Sequence, residues 1–531
     1  MKKVVGIIGI LLVIAAMTSA INASTTGRKD FYAEDTRLVP LNKVLTANLE
    51  GNVQISSGEE EDVTPTITVD GNGRIVIAYN SQAGILEHYI YLAYSEDDGS
   101  TWNFPAYITT ESGVAASPDF IYMPATGNLA LSYVDPGADE YAVHAWYISD
   151  ITNTETYNGI MWGWMSGESY QYVASSYVEH LFLQMVICDE PGRGLMSVPT
   201  LIYWTPDWDH PEEIGGGYYD GQSILRTVPA SDPEMATGQN RVIMVMQHDN
   251  ETTGHSEIAY KLTVTDLDLL LTPGGGPGGM DKYADIEVWP WQGYLGKGDY
   301  DSKHPSVSAS GSNFVVVFMS NNNVYGDWDI MCAYSHDDGE TWTVSEVAAE
   351  HPVDETYPAV YISGNNVYVA YIKEGNLYLV KSEDGGETWG EPEKVNDVDG
   401  TVVAEENAVD ICSKGIVWVD ERNGNKDIYF APLPAPIITV GISGGFGVKA
   451  TISNEGTEAA ENLAWSVDLS GLVFIGKHAE GTIDTLNPGE SVTVGPGLVF
   501  GIGPTTITVN AGGVTATASG FVLGPLVLGV S

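Results

Sequence analysis

The chain has 531 residues, with 71 Asp and Glu against 22 Lys and Arg, for a formal net charge of −49. That excess excludes a nucleic acid or an anionic membrane surface as partner, because both require basic patches. A hydrophobic content of 43% excludes a disordered polyanion, and 60 glycines with 26 prolines point to many tight turns and so to β-structure.

Met1-Lys2-Lys3 and the apolar run from Val4 to Met17 precede small residues that end at Ala23. This is the pattern of a secretory signal peptide over residues 1–23. It predicts an exported protein, secreted or at the cell surface, with no membrane insertion after cleavage. Residues 24–50 form an N-terminal extension. The three cysteines, Cys188, Cys332 and Cys412, all lie in apolar, strand-like runs. One disulfide plus a free thiol and three inert buried thiols are both open readings.

Internal repeats carry most of the information. Ser95-Glu-Asp97-Asp-Gly99-Ser-Thr-Trp102 recurs as Ser335-His-Asp337-Asp-Gly339-Glu-Thr-Trp342 and as Ser382-Glu-Asp384-Gly-Gly386-Glu-Thr-Trp389. Each copy follows an alternating strand. The Asp caps N–H groups of its own turn, the Gly supplies a positive φ, and the Trp opens a return strand with a large buried area. Upstream of each copy stands a strand–turn–strand that opens on Pro65, Pro305 or Pro358. A fourth such pair, Ala408 to Asp420, continues to Phe430 and then stops one strand short. Asn52-Val-Gln-Ile-Ser56 has the character of the missing outer strand, which predicts a ring closed by pairing the N-terminus with residues 426–430.

These repeats resemble the Asp boxes of sialidase-like secreted β-propellers. The resemblance implies an all-β chain with a six- or seven-bladed propeller, seven favoured, over residues 51–433. The repeat spacing of 47 residues between the last two copies suits one four-stranded blade. The middle, residues 112–300, is irregular and lacks an Asp box. After Pro434-Ala-Pro436 the character changes: residues 437–531 hold seven acids and two lysines, with short alternating strands around Trp465. Residues 434–531 therefore read as a β-sandwich, and Thr485-Leu-Asn-Pro-Gly-Glu-Ser-Val-Thr493 resembles a turn of the immunoglobulin-like domains that flank archaeal and bacterial surface enzymes, while nearly all the negative charge belongs to the propeller.

Sialidases clamp a substrate carboxylate with three arginines and carry a Phe/Tyr-Arg-Ile-Pro motif. This chain has no such tetrapeptide, and Arg193, Arg226 and Arg241 are the arginines left for a clamp. Arg422 reads as a structural partner of Asp427. The best-placed polar residues precede the innermost strands: Asp62, Asp301, His304, Glu355, Tyr357, Glu405 and Glu406. Such a ring suits a sugar or a cation, and calcium is the candidate cofactor. Trp162 and Trp164 are candidate sugar platforms. The expected partner is an extracellular glycan or a surface protein, and the expected function is binding without classical sialidase catalysis. A secreted exo-glycosidase is the alternative.

Overall fold

The computed structural model describes residues 36–46, 51–110, 112–136, 143–162, 169–190, 195–204, 230–250, 252–266, 293–436, 438–456 and 458–530. The chain divides into two compact units, Met1–Pro432 and Leu433–Ser531.

In the first unit, period-2 patterning runs on both sides of each strand. Along Val76 to Tyr79 and Phe314 to Met319 nearly every residue is apolar and buried. Such runs arise when a sheet is covered on both faces. Val76 and Ala78 pack towards Leu131 and Trp146 of the following sheet. Ile75 and Ile77 pack towards Val417 and Phe430 at the far end of the chain. Val315 and Val317 likewise meet Val367 and Val369, while Val316 and Phe318 meet Ile243 and Tyr260.

Among the described residues these strands form seven small antiparallel sheets, and apart from two strands contributed by the N-terminal segment each follows the order of the chain. Blade 1 is Glu61–Val69, Ile75–Gly84, Glu87–Ser95 and Thr101–Thr110. Blade 2 begins at Ala116–Met123, blade 3 at Ser169–Val178, blade 4 at Ala230–Thr237, blade 5 at Ser302–Ser310 and blade 6 at Glu355–Ser363. Blade 7 is Val409–Ile411, Gly415–Asp420 and Asp427–Pro432, and its outer strand is Val53–Gln54. Val53 pairs with Phe430 and Gln54 with Tyr429, so the N-terminal segment supplies the strand that the last repeat lacks. The inner strand of blade 7 packs on that of blade 1, which closes the ring.

The N-terminal extension has a structural role that its sequence did not signal. Thr36–Thr46 adds a fifth strand to the outer edge of blade 1, antiparallel to Thr101–Thr110. Residues 1–35, including the signal-peptide pattern, lie outside the described residues.

All three Ser-x-Asp-x-Gly-x-Thr-Trp turns form the same network. In the first, Ser95 Oγ donates to Asp97 Oδ1 at 2.9 Å, and Gly99 N donates to Ser95 Oγ at 2.8 Å. Thr101 donates to Asp97 through its N–H at 2.7 Å and its hydroxyl at 2.8 Å. The corresponding bonds recur at Asp337 and Asp384. Each lies between the third and fourth strands of its blade, away from the inner strands. The Thr341 hydroxyl and N–H hold the Asp337 carboxyl down to about 2. Trp102 and Trp342 donate to the carbonyls of Gly99 and Gly339, whereas Trp389 donates to Ser345 Oγ of the neighbouring blade.

The second unit has a three-stranded sheet, Ile438–Ser443, Lys449–Asn454 and Ser491–Val494. Its larger sheet is built chiefly on Ala460–Leu469, His478–Leu486, Phe500–Ala511 and Val514–Gly524. Ala450 of the first meets Val467, Ile507 and Val522 of the second in one core, and Trp465 packs against it. The unit is a two-sheet β-sandwich. No helix among the described residues is long and apolar enough to cross a membrane.

Candidate functional site

The inner strands of all seven blades line one central cavity of about 440 Å³. At its mouth the backbone repeats an unusual feature. Thr64, Ser117, Asp232, His304, Tyr357 and Asn407 all have φ between 46° and 56°, in the left-handed region. In five of these six cases the next residue is Pro. At each of those five sites the register between the inner and second strands also shifts, as at Val63/Thr66 and Lys303/Ser306. An extra residue there bulges the strand and re-aims its side chain. Left-handed non-glycine residues cost on the order of 1–3 kcal/mol each, and such strain collects at functional surfaces.

The mouth brings together Asp232, His304, Tyr357 and Glu406 from blades 4, 5, 6 and 7. His304 Nδ1 lies 2.6 Å from Asp232 Oδ2, and its ring lies against Tyr357 with centroids 4.7 Å apart. Deeper in the channel stand Asp119, Glu234 and Asp410, with Tyr122, Tyr172 and Tyr361 on the walls. These acids are part-exposed on the channel wall, yet protein surrounds them closely. Burial pushes Asp119 up to about 6. Burial pushes Asp410 up to about 7, against the N–H groups of Ile67 and Ile411 that it accepts and with repulsion from Asp119. Burial also raises Glu234 well above the carboxylate range, helped by Asp119, Asp410 and Asp232. No Lys or Arg occurs among the described lining residues.

Of the residues expected from sequence, His304, Tyr357 and Glu406 line this cavity; Asp62, Asp301, Glu355 and Glu405 do not. Asp62 is buried beside Ser56 and Ser81, and burial pushes it up to about 6. Asp301 clamps blade 4 to blade 5 by accepting from Ser256 N at 2.9 Å. Glu355 is fully buried under Lys373 Nζ, 3.8 Å away, and burial pushes it up to about 7. Glu405 pairs with Lys426. All four sit one to three residues too early in the chain: in the blades that carry the proline, the bulge sends the residue just before it, not its predecessors, into the mouth.

Arg241 opens the second strand of blade 4 and is not a lining residue. Arg74 is held by Asp70 at 2.6 Å and Asp150 at 3.1 Å. Arg422 does not pair with Asp427. It takes Asp420 at 2.6 Å and Asp397 at 2.5 Å, because Gln54 and Asn423 already donate to Asp427. Arg193, Arg226 and Trp164 lie outside the described residues; Trp162 ends the outer strand of blade 2. Cys332 and Cys412 are free and buried, and burial pushes the Cys412 thiol up to about 12.

Sequence reasoning missed Asp119, Asp232, Glu234 and Asp410. A usable signal existed for three of them. Ser117-Pro-Asp119 and Asp232-Pro-Glu234 repeat the frame of His304-Pro-Ser306 and Tyr357-Pro-Ala359. That frame places one side chain at the mouth and the next-but-one deeper along the strand.

Sheet order, ring closure and the central acid-lined channel make the first unit a β-propeller. No family model and no curated protein matches this chain. It is similar in structure to an alpha-L-arabinanase of Penicillium chrysogenum in complex with arabinobiose, at 11% identity and a TM-score of 0.40, over 74% of this chain and 99% of that one. It is also similar to the β-propeller domain of the Trilobed protease of Pyrococcus furiosus, at 10% identity and a TM-score of 0.39, over 71% and 98% of the two chains. The Hadza microbial sialidase Hz136 aligns at 13% identity and a TM-score of 0.35, over 70% and 66%.

Proposed function

We propose that the protein is an exported propeller that binds a glycan in its central channel. The observation that carries this is the lining itself: carboxyl groups and tyrosine rings from different blades converge on one cavity, with no Lys or Arg among its described lining residues. Carboxyls accept and, when protonated, donate hydrogen bonds to hydroxyls. Aromatic faces cover the apolar face of a sugar ring. A ring of acids repels an anionic sugar, so the fitting ligand is a neutral oligosaccharide.

Binding of neutral oligosaccharides is measured by calorimetry, with Tyr357→Ala and Tyr361→Ala as test variants. Saturable binding that both variants weaken supports the reading. Binding that neither variant changes, or no binding to any neutral glycan, overturns it.

A glycosidase is the second reading. It is favoured by Asp119 and Asp410, pushed up to about 6 and about 7 within one channel. A protonated carboxyl beside an ionised one is what glycoside hydrolysis uses. Turnover of a fluorogenic glycoside that Asp119→Asn abolishes would establish it.

A further inference from the structure

We propose that Asp232, His304 and Glu406 bind a divalent transition-metal ion, of the zinc or manganese type, at the channel mouth. The site stands on its own geometry; only the role of the ion rests on the channel reading above.

The three side chains come from three blades, and their ligand atoms lie within 4.8 Å of one another. Each is left in a state that proteins rarely tolerate. The Asp232 side chain is only 6% exposed, yet neither of its oxygens accepts a hydrogen bond. His304 Nδ1 and Glu406 Oε1 are also buried and make none. His304 Nδ1 approaches Asp232 Oδ2 closely without a hydrogen bond forming. Buried polar atoms are normally paired, and each orphan costs on the order of 1–3 kcal/mol. One cation between them satisfies the set at once.

The donor set selects the ion. Calcium takes six to eight oxygens, whereas one imidazole nitrogen with two carboxylates suits zinc or manganese. Two carboxylates neutralise the ion, and three protein ligands leave coordination positions open towards the cavity. A hydroxyl pair of a bound sugar can fill them. The ion therefore gives the acidic channel a means of holding the hydroxyls of a neutral sugar.

A second cluster, Asp327, Asp329 and His351, has the same composition. There Asn323 donates to Asp329 at 2.8 Å and His351 lies 3.1 Å from Asp327 Oδ2, within hydrogen-bond reach, so it is partly satisfied already. It serves as the internal control for unspecific binding by a chain of net charge −49.

The experiment is calorimetric titration of chelator-stripped protein with zinc or manganese alone, without any glycan. One tight site is expected, weakened about 100-fold or more by Glu406→Gln and by His304→Ala. The Asp327→Asn/Asp329→Asn double variant should keep it. Circular dichroism and the melting temperature of metal-free Glu406→Gln establish that it is folded. Unchanged affinity in Glu406→Gln, loss only in the double variant, or no site tighter than millimolar overturns the proposal. Because no glycan is present, failure here leaves the glycan reading standing. Failure of glycan binding with the metal loaded leaves the metal site standing.

Discussion

The Trp102 indole meets the Phe430 ring edge to face, with centroids 5.1 Å apart. Trp102 ends the Ser-x-Asp-x-Gly-x-Thr-Trp turn of blade 1, and Phe430 belongs to blade 7, so this contact lies on the seam where the ring closes. Phe430 also pairs with Val53 through the backbone. A Cβ on Gly99 would come within 2.5 Å of Phe430, at a φ of +92°.

Trp102→Ala and Phe430→Ala should each destabilise the propeller by about 3–5 kcal/mol, since both rings are fully buried. The double variant should lose less than the sum, by about 0.5–1.5 kcal/mol for the ring pair. Denaturant unfolding checks this; full additivity would show that the rings do not share the seam. Gly99→Ala should be destabilising for two reasons, backbone strain and the clash with Phe430.

Arg422 carries a second seam. Its guanidinium bridges the fully buried Asp420 of blade 7 and Asp397 after blade 6, and Asp397 also accepts from Asn52 N at 3.0 Å. Removing one partner strands a buried charge. Arg422→Ala should cost about 3–5 kcal/mol, and Arg422→Lys should not restore it, because lysine lacks the fork. Full rescue by lysine would refute the bidentate role.

Stability should depend on pH through the channel. Asp410, raised from 3.8 to about 7 by burial, faces Asp119 and Glu234. A carboxyl whose folded pKa is raised contributes stability that is complete below its unfolded pKa and is lost as pH rises through the folded value. The melting temperature should therefore fall between about pH 4 and about pH 7, and Asp410→Asn should flatten that slope. The same slope in both proteins would remove Asp410 from the account.

A shortened chain lacking residues 1–47 should still close its ring, because Val53–Gln54 is retained. It should melt lower and aggregate sooner than the full chain, since loss of Thr36–Thr46 uncovers the edge of Thr101–Thr110. Equal solubility and melting would show that the fifth strand adds nothing.

The repeat grammar was legible because its causes are local. An Asp that caps its own turn, a Gly with positive φ and a strand with both faces apolar leave marks at fixed spacing. Even the seam was legible, since a blade that stops one strand short needs an outer strand from elsewhere. The channel residues were half legible: His304, Tyr357 and Glu406 lay in the right loop, but Asp62, Asp301, Glu355 and Glu405 missed the mouth because of a one-residue bulge. The strand at Thr36–Thr46 left no signal, because its alternation is weak and its pairing partner lies some sixty residues away.

By itself the sequence determined the β-propeller class, the three capped turns, the closing strand and the placement of the negative charge. Tertiary structure alone decided which acids face one another. Asp119, Asp232, Glu234, Glu406 and Asp410 lie on different blades or strand positions, and although a frame around the prolines marks some of them, nothing in the sequence says that they face one another. Their convergence follows from ring closure, which turns seven distant inner strands into neighbours around one axis. Burial there, rather than residue type, raises Asp119, Glu234 and Asp410 and leaves the Asp232 carboxyl, His304 Nδ1 and Glu406 Oε1 without hydrogen bonds.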